Sequence, residues 1–239
     1  YLTGIEYRLV ADSDESDLEL SDFNSEKSDI IVENKPCLKG SVLHIDGDKD
    51  YLDMCLAKYK EFNINVYGYY MKENEIKDKI ISLLEKHRPD LLVITGHDAM
   101  KKNGDRKNIN SYLHTKDFVE AIRKARLYQD DKDSLIIFAG ACQSYYELLL
   151  ASGANFASSP SRKNIHALDP VFVVSQIANA SIKNYVDLEK IVAKTSNKHL
   201  GVGGIDTRGV ARKIYPTSRW SNEGKSVCKN KFSVRRTEK

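Results

Sequence analysis

Two short apolar runs constrain this chain most. Residues 91–95 read LLVIT and residues 134–140 read SLIIFAG. Each is too short for a buried helix and too continuously apolar for a strand with one wet face, which would alternate. Both therefore read as strands buried on two faces, the mark of a parallel sheet covered by helices. SVLHI (41–45), NINVYGYY (63–70) and ANFASS (154–159) are further strand candidates. Between them, the stretch DGDKDYLDMCLAKYKEF repeats Leu52, Cys55, Leu56 and Tyr59 at helical spacing. ENEIKDKIISLLEKH (73–87) puts Ile76, Ile80, Leu83 and Leu84 on one helix face. TKDFVEAIRKARLY, QSYYELLLASG (143–153, stopped by glycine), DPVFVVSQIANASI (opened by Asp-Pro) and DLEKIVAKTS supply four more helices. Strands alternating with helices predict βαβ units and an α/β fold with a mostly parallel sheet.

Length and composition bound the function. At 239 residues the chain can bury one large core plus appendages. Its +3 charge is a small difference between 37 basic and 34 acidic residues, which does not point to nucleic acid. No apolar run approaches a membrane span, so neither nucleic acid nor membrane is an expected partner. The four cysteines, Cys37, Cys55, Cys142 and Cys228, show no metal-ligand spacing, and no secretory pattern opens the sequence. Reduced thiols and no metal or other cofactor are the expectation. Residues 1–35 end in an acidic, serine-rich linker, 36–222 carry the organised domain, and 223–239 form a basic tail. The opening YLTGIEYRLVADS reads like the interior of a strand, so an upstream part is expected to have been removed.

The chemistry gathers where the two buried runs end. LLVIT runs into Gly96 and His97; IIFAGA runs into Cys142. In an open parallel sheet, active residues collect outside the carboxyl ends of the strands. If the two strands are neighbours, a thiol and an imidazole emerge side by side, as cysteine proteolysis requires. Backbone N–H groups beside Cys142 are candidates for holding an oxyanion. Taken singly, each residue has a plainer reading: a small core cysteine and a polar loop histidine. Two strand exits separated by one loop and one helix are far more informative together.

An apolar strand then His, a helix, and an apolar strand then Cys resembles the caspase-like (clan CD) cysteine peptidases. More narrowly, VITGHDA, FAGACQSYYELL, GANFASSPSRKNIHALDPV and GGIDTRGVARKIYP resemble the YabG family of sporulation-specific cysteine proteases. The resemblance covers about residues 40–216, and RLVADSDESDL is similar to the end of that family's small β-rich N-terminal region. It implies a caspase-like three-layer sandwich with helices on both faces of the sheet. It also implies endoproteolysis of spore-coat and cortex-processing precursors, cleavage after arginine, and self-cleavage. The implied setting is the mother-cell cytoplasm of a sporulating bacterium and the spore coat. In the wider caspase-like group a glycine follows the catalytic histidine and lends an oxyanion N–H. Here Asp98 follows and Gly96 precedes, so the backbone at both is the expected donor.

An enzyme that cuts after arginine needs a carboxylate in its specificity pocket, because guanidinium pairs with it through two prongs. Asp46 and Asp48, at the first strand exit, and Asp169 are the candidates, each with the alternative of capping a helix. Ala157-Ser158-Ser159-Pro160 resembles the caspase segment that pairs with substrate backbone, which makes Ser158 and Ser159 substrate-binding candidates by strand addition. His166 is a rival base in a loop. GVGG (201–204) lacks the context of a phosphate loop. Three other functions compete: an inactive coat scaffold, a receiver-like signalling module and an amidotransferase-like hydrolase. The receiver needs an aspartate where Thr95-Gly96-His97 stands. The amidotransferase needs a GxCxG elbow where GACQS stands.

Overall fold

The computed structural model describes residues 37–216. The acidic linker, the basic tail and Cys228 lie outside the described residues. Six strands form the central sheet: β2 (Val42–Asp46), β3 (Val66–Tyr70), β4 (Leu91–Thr95), β5 (Ile136–Ala139), β6 (Phe156–Ser158) and β7 (Val202–Gly204). Their spatial order is β3-β2-β4-β5-β6-β7; the first five are parallel and β7 is antiparallel to β6. A separate antiparallel pair joins β1 (Cys37–Leu38) to β8 (Arg212–Lys213).

Side-chain alternation along the strands divides the core in two. Val42, Leu91, Val93, Ile136 and Phe138 face one cluster, and Leu43, Ile45, Leu92, Ile94 and Ile137 face the other. On the first face pack α1 (Lys49–Glu61), α5 (Asp169–Asn179) and α6 (Leu188–Ala193), through Cys55, Tyr59, Val173, Ile177 and Ile191. On the second pack α2 (Glu73–His87), α3 (Thr115–Tyr128) and α4 (Tyr146–Ala151), through Ile80, Leu84, Phe118, Ile122 and Leu149. The chain is therefore an α/β protein whose mostly parallel sheet carries helices on both faces. All five residues of β2 and of β4 are buried, which is why these strands show no polar alternation.

The order has a functional consequence. After β2 the chain turns to α1 on one face; after β4 it turns to α3 on the other. The two exits diverge at the carboxyl ends of neighbouring strands, the arrangement in which open α/β sheets place ligands.

Three sequence expectations need correction, and one unassigned segment finds its place. The glycine-rich GVGG is the edge strand β7: Cβ atoms at Gly203 and Gly204 would press within 2.5 Å of the Tyr146 hydroxyl and the Phe156 ring, so packing selects residues of low strand propensity. The helix read over 143–153 begins only at Tyr146, because Gln143 takes a positive φ of 58° and Ser144 Oγ accepts the Ala141 N–H in a tight turn. The helix opened by Asp-Pro stops at Asn179, since Ala180 is extended and Ser181 bridges to Ala211. Asp169 is the first residue of that helix rather than its cap.

Candidate active site

His97 and Cys142 leave adjacent strands in step. Ile94 and Ala139 are paired across β4 and β5, and His97 and Cys142 each lie three residues past that pair. The sequence expectation that the two exits are neighbours therefore holds in the sheet. Their immediate surroundings differ sharply.

The His97 side chain is 57% exposed. Its Nε2 lies 3.0 Å from Asp48 Oδ2, its ring lies against Tyr51, and its backbone N–H donates to Glu73 Oε1 at 2.7 Å. Asp48 is held from two further sides. Its Oδ1 caps α1 by accepting the N–H groups of Asp50 and Tyr51, and its own N–H donates to Asp46 Oδ1 at 2.8 Å. Those contacts hold the Asp48 carboxyl below the usual range, the Tyr51 N–H first and the His97 hydrogen bond also contributing, while burial opposes them. Asp46 is itself buried, its other oxygen accepting the Thr95 hydroxyl at 2.6 Å, and His44 Nε2 meets that hydroxyl at 2.9 Å. A chain of contacts thus runs from the floor of the sheet through Thr95, Asp46 and Asp48 to the imidazole.

Glu73 escaped the sequence reading. It opens α2, and its carboxylate lies across the tips of β2 and β4, buried at 7% exposure. Cβ atoms at Gly47 and Gly96 would come within 2.2 and 2.5 Å of its Oε1, so both glycines make room for it. Gly96, with φ of +154°, also turns the backbone that aims the His97 N–H at Glu73. A glutamate in the first turn of a helix looks like a favourable charge near the positive helix end, and that ordinary role hid this one.

Cys142 is half-buried, with its thiol donating to Ile165 O at 3.9 Å. Burial pushes its pKa up, the Asp98 and Asp169 carboxylates push the same way, and backbone hydrogen bonds at Ile165 and Cys142 oppose them. The 159–165 loop lies beside the thiol and is well anchored. Ser159 Oγ accepts the Gln143 N–H and donates to Lys163 O. The Arg162 guanidinium rests over the rings of Tyr112 and Tyr145, donates to Tyr112 Oη and the Ser159 carbonyl, and pairs with Glu147.

Asp98 braces the two exits to each other. Its buried carboxylate accepts the Ser144 hydroxyl at 2.9 Å, the Thr115 hydroxyl, and the N–H groups of Ala99 and His114. Burial raises its pKa, and those donors pull the other way. Gln143 Oε1 adds a second tie by accepting the Met100 N–H at 3.2 Å.

The remaining expected residues are placed as follows. Asp169 is buried and accepts the Ser196 N–H and hydroxyl and the His166 N–H, so its carboxylate fastens the start of α5 to residue 196. Ser158 Oγ donates to Gly140 O. Strand β6 lies between β5 and β7, and the Ser159 N–H donates to Gly201 O, so substrate addition along β6 finds no free edge there. His166 Nδ1 accepts the Leu168 N–H. Among the described residues no group of three or more His, Cys, Asp or Glu side chains is arranged to hold a metal, and no helix is long and apolar enough to cross a membrane.

Comparison with known proteins adds a family to this geometry. Residues 33–216 match the family described as YabG peptidase U57. The chain is also 48% identical over 176 residues to the sporulation-specific protease YabG of Bacillus subtilis (strain 168), a match covering 73% of this chain and 61% of that protein. The chain thus spans less than two thirds of the length of this relative. No solved structure matches it significantly.

Proposed function

Because the chain belongs to the YabG peptidase U57 family, we propose that it is a cysteine endopeptidase of caspase-like fold, with Cys142 as nucleophile and His97 as general acid/base. The supporting observation is the common register of the two exits, each three residues beyond the paired Ile94 and Ala139. An imidazole there can take the thiol proton, and the thiolate then attacks the scissile carbonyl carbon. The imidazolium returns the proton to the leaving amine, and water activated by the same ring releases the acyl group. The N–H groups of His97, Ala141 and Gln143 are committed within the protein. The backbone at Asp98 or Gly96 is assigned to the oxyanion, with the N–H of Cys142 itself as the remaining candidate beside the thiol.

The relative's name supports a protease that acts in sporulation, and the family resemblance supplies protein precursors of the spore coat and cortex as substrates, in the mother cell and at the coat. The family resemblance supplies a preference for arginine and self-cleavage. Of the three aspartates expected for the pocket, Asp46 and Asp169 are buried and engaged, and Asp48, at 28% exposure, meets the His97 ring. The decisive experiment combines an active-thiol probe with cleavage of fluorogenic peptide amides ending in Arg, Lys or Leu. Probe labelling confined to Cys142, and no cleavage by Cys142→Ala at unchanged circular dichroism, are expected. Full cleavage by Cys142→Ala, or an essential Cys37, Cys55 or Cys228, would remove the assignment. Equal cleavage after Leu and Arg would remove only the arginine preference.

A further inference from the structure

We propose that Asp48 is the residue that positions His97, selecting the ring tautomer that bears its proton on Nε2 and leaving Nδ1 to exchange a proton with Cys142. This inference rests on the Cys142–His97 reading above and assigns Asp48 to the base rather than to the specificity pocket.

Three observations meet at this residue. The Asp48 Oδ2–His97 Nε2 distance of 3.0 Å is that of a hydrogen bond. A carboxylate has no proton to give, so the shared proton sits on Nε2 and the lone pair is left on Nδ1. The carboxylate is also held before any substrate arrives, by the α1 cap on Oδ1 and by Asp46 on its backbone N–H. A group already fixed at its carboxylate and its backbone loses little freedom when it fixes another, which is what positioning a base requires. Finally, the Glu73 grip on the His97 N–H sets the backbone from which the ring projects, so ring and backbone are fastened by separate elements. A guanidinium binding Asp48 as a pocket would have to displace the imidazole from Oδ2 or unmake the α1 cap at Oδ1.

The proton steps balance on this assignment. Nδ1 takes the Cys142 Sγ proton, giving thiolate and imidazolium, with Asp48 stabilising the cation through Nε2–H. The same proton passes from Nδ1 to the departing amine nitrogen as the C–N bond breaks. Nδ1 then takes a proton from the water that attacks the acyl-enzyme and returns it to sulfur as the C–S bond breaks.

Two substitutions separate charge from reach. Asn and Ser both cap a helix as well as Asp does, so α1 and the melting temperature should be retained. Asp48→Asn keeps an acceptor without charge and is expected to lower kcat by about tenfold. Asp48→Ser cannot reach the ring and should lower kcat by about a hundredfold, the lower range for acid–base catalysis. KM should change little, and the loss should be the same for Arg and Lys peptides. In a His97→Ala background neither substitution should cost further activity. Nitrogen-15 NMR of the ring should show the proton on Nε2 in the parent and a tautomer mixture in Asp48→Ser. A loss confined to Arg peptides, an unchanged kcat, or an equal loss in the His97→Ala background would each overturn the proposal. If Cys142→Ala kept activity, the underlying dyad would fail instead, so the two failures are distinguishable.

Discussion

The two strand exits are built on opposite plans. At the β4 exit the imidazole is exposed while everything behind it is fixed: Asp48 on the ring, Glu73 on the backbone, Asp46 and Thr95 beneath. At the β5 exit the thiol is half-buried beside the 159–165 loop, its hydrogen going to Ile165 O, with burial first and two carboxylates after it raising its pKa. On the proposed reading, one side is a base held in place from behind, and the other is a nucleophile whose burial favours the protonated thiol. The contrast teaches that adjacency in the sheet supplies proximity, while the loops decide protonation. On that reading, the hydrogen bonds between the two exits tighten when substrate binds, as they often do in active sites.

The hardest blow to the comparison falls on the base. His97→Ala is expected to lower peptide-amide turnover by at least about a hundredfold. His166→Ala should stay near the parent value, because its Nδ1 is already accepting the Leu168 N–H. The reverse ranking, measured as kcat on the same peptide, would move the base to the loop side.

Next comes the brace between the two exits. Asp98→Ala removes an acceptor that serves two hydroxyls and two N–H groups, all near the sheet end. Buried donors left without a partner cost about 1–3 kcal/mol each. Solvent reaching the new cavity would offset part of this, so a loss of about 3 kcal/mol in urea unfolding is expected. A change below about 0.5 kcal/mol, the usual range for surface substitutions, would show that the exits stand independently.

The smallest effect concerns the resting thiol. Because burial raises the Cys142 pKa, the thiolate fraction, and with it the iodoacetamide rate, should still be climbing above the ordinary cysteine value of about 8.5. A fully alkylated plateau below that value in the free protein would mean that His97 already holds the thiolate, and the two plans would merge into one.

Much of this molecule was legible in its residues for specific reasons. LLVIT and IIFA are continuously apolar because parallel strands under helices have no wet face, so strand type, sheet and the two exits could all be read from them. Leu52, Cys55 and Tyr59, and Ile76, Ile80, Leu83 and Leu84, carry a helical period that survives folding unchanged. GVGG gave no such signal, because its glycines answer to the rings of Tyr146 and Phe156 rather than to strand propensity. Likewise Asp46 ends β2, Asp48 caps α1 and Asp169 opens α5, yet they are the same residue type and nothing local separates their roles. Only the tertiary structure turned Asp46 onto Thr95, Asp48 onto His97 and Asp169 onto Ser196. The physical reason is range. Burial period and turn chemistry act over a few neighbours and are written along the chain, whereas a hydrogen bond between residues 48 and 97 exists only once two strand ends have been brought side by side.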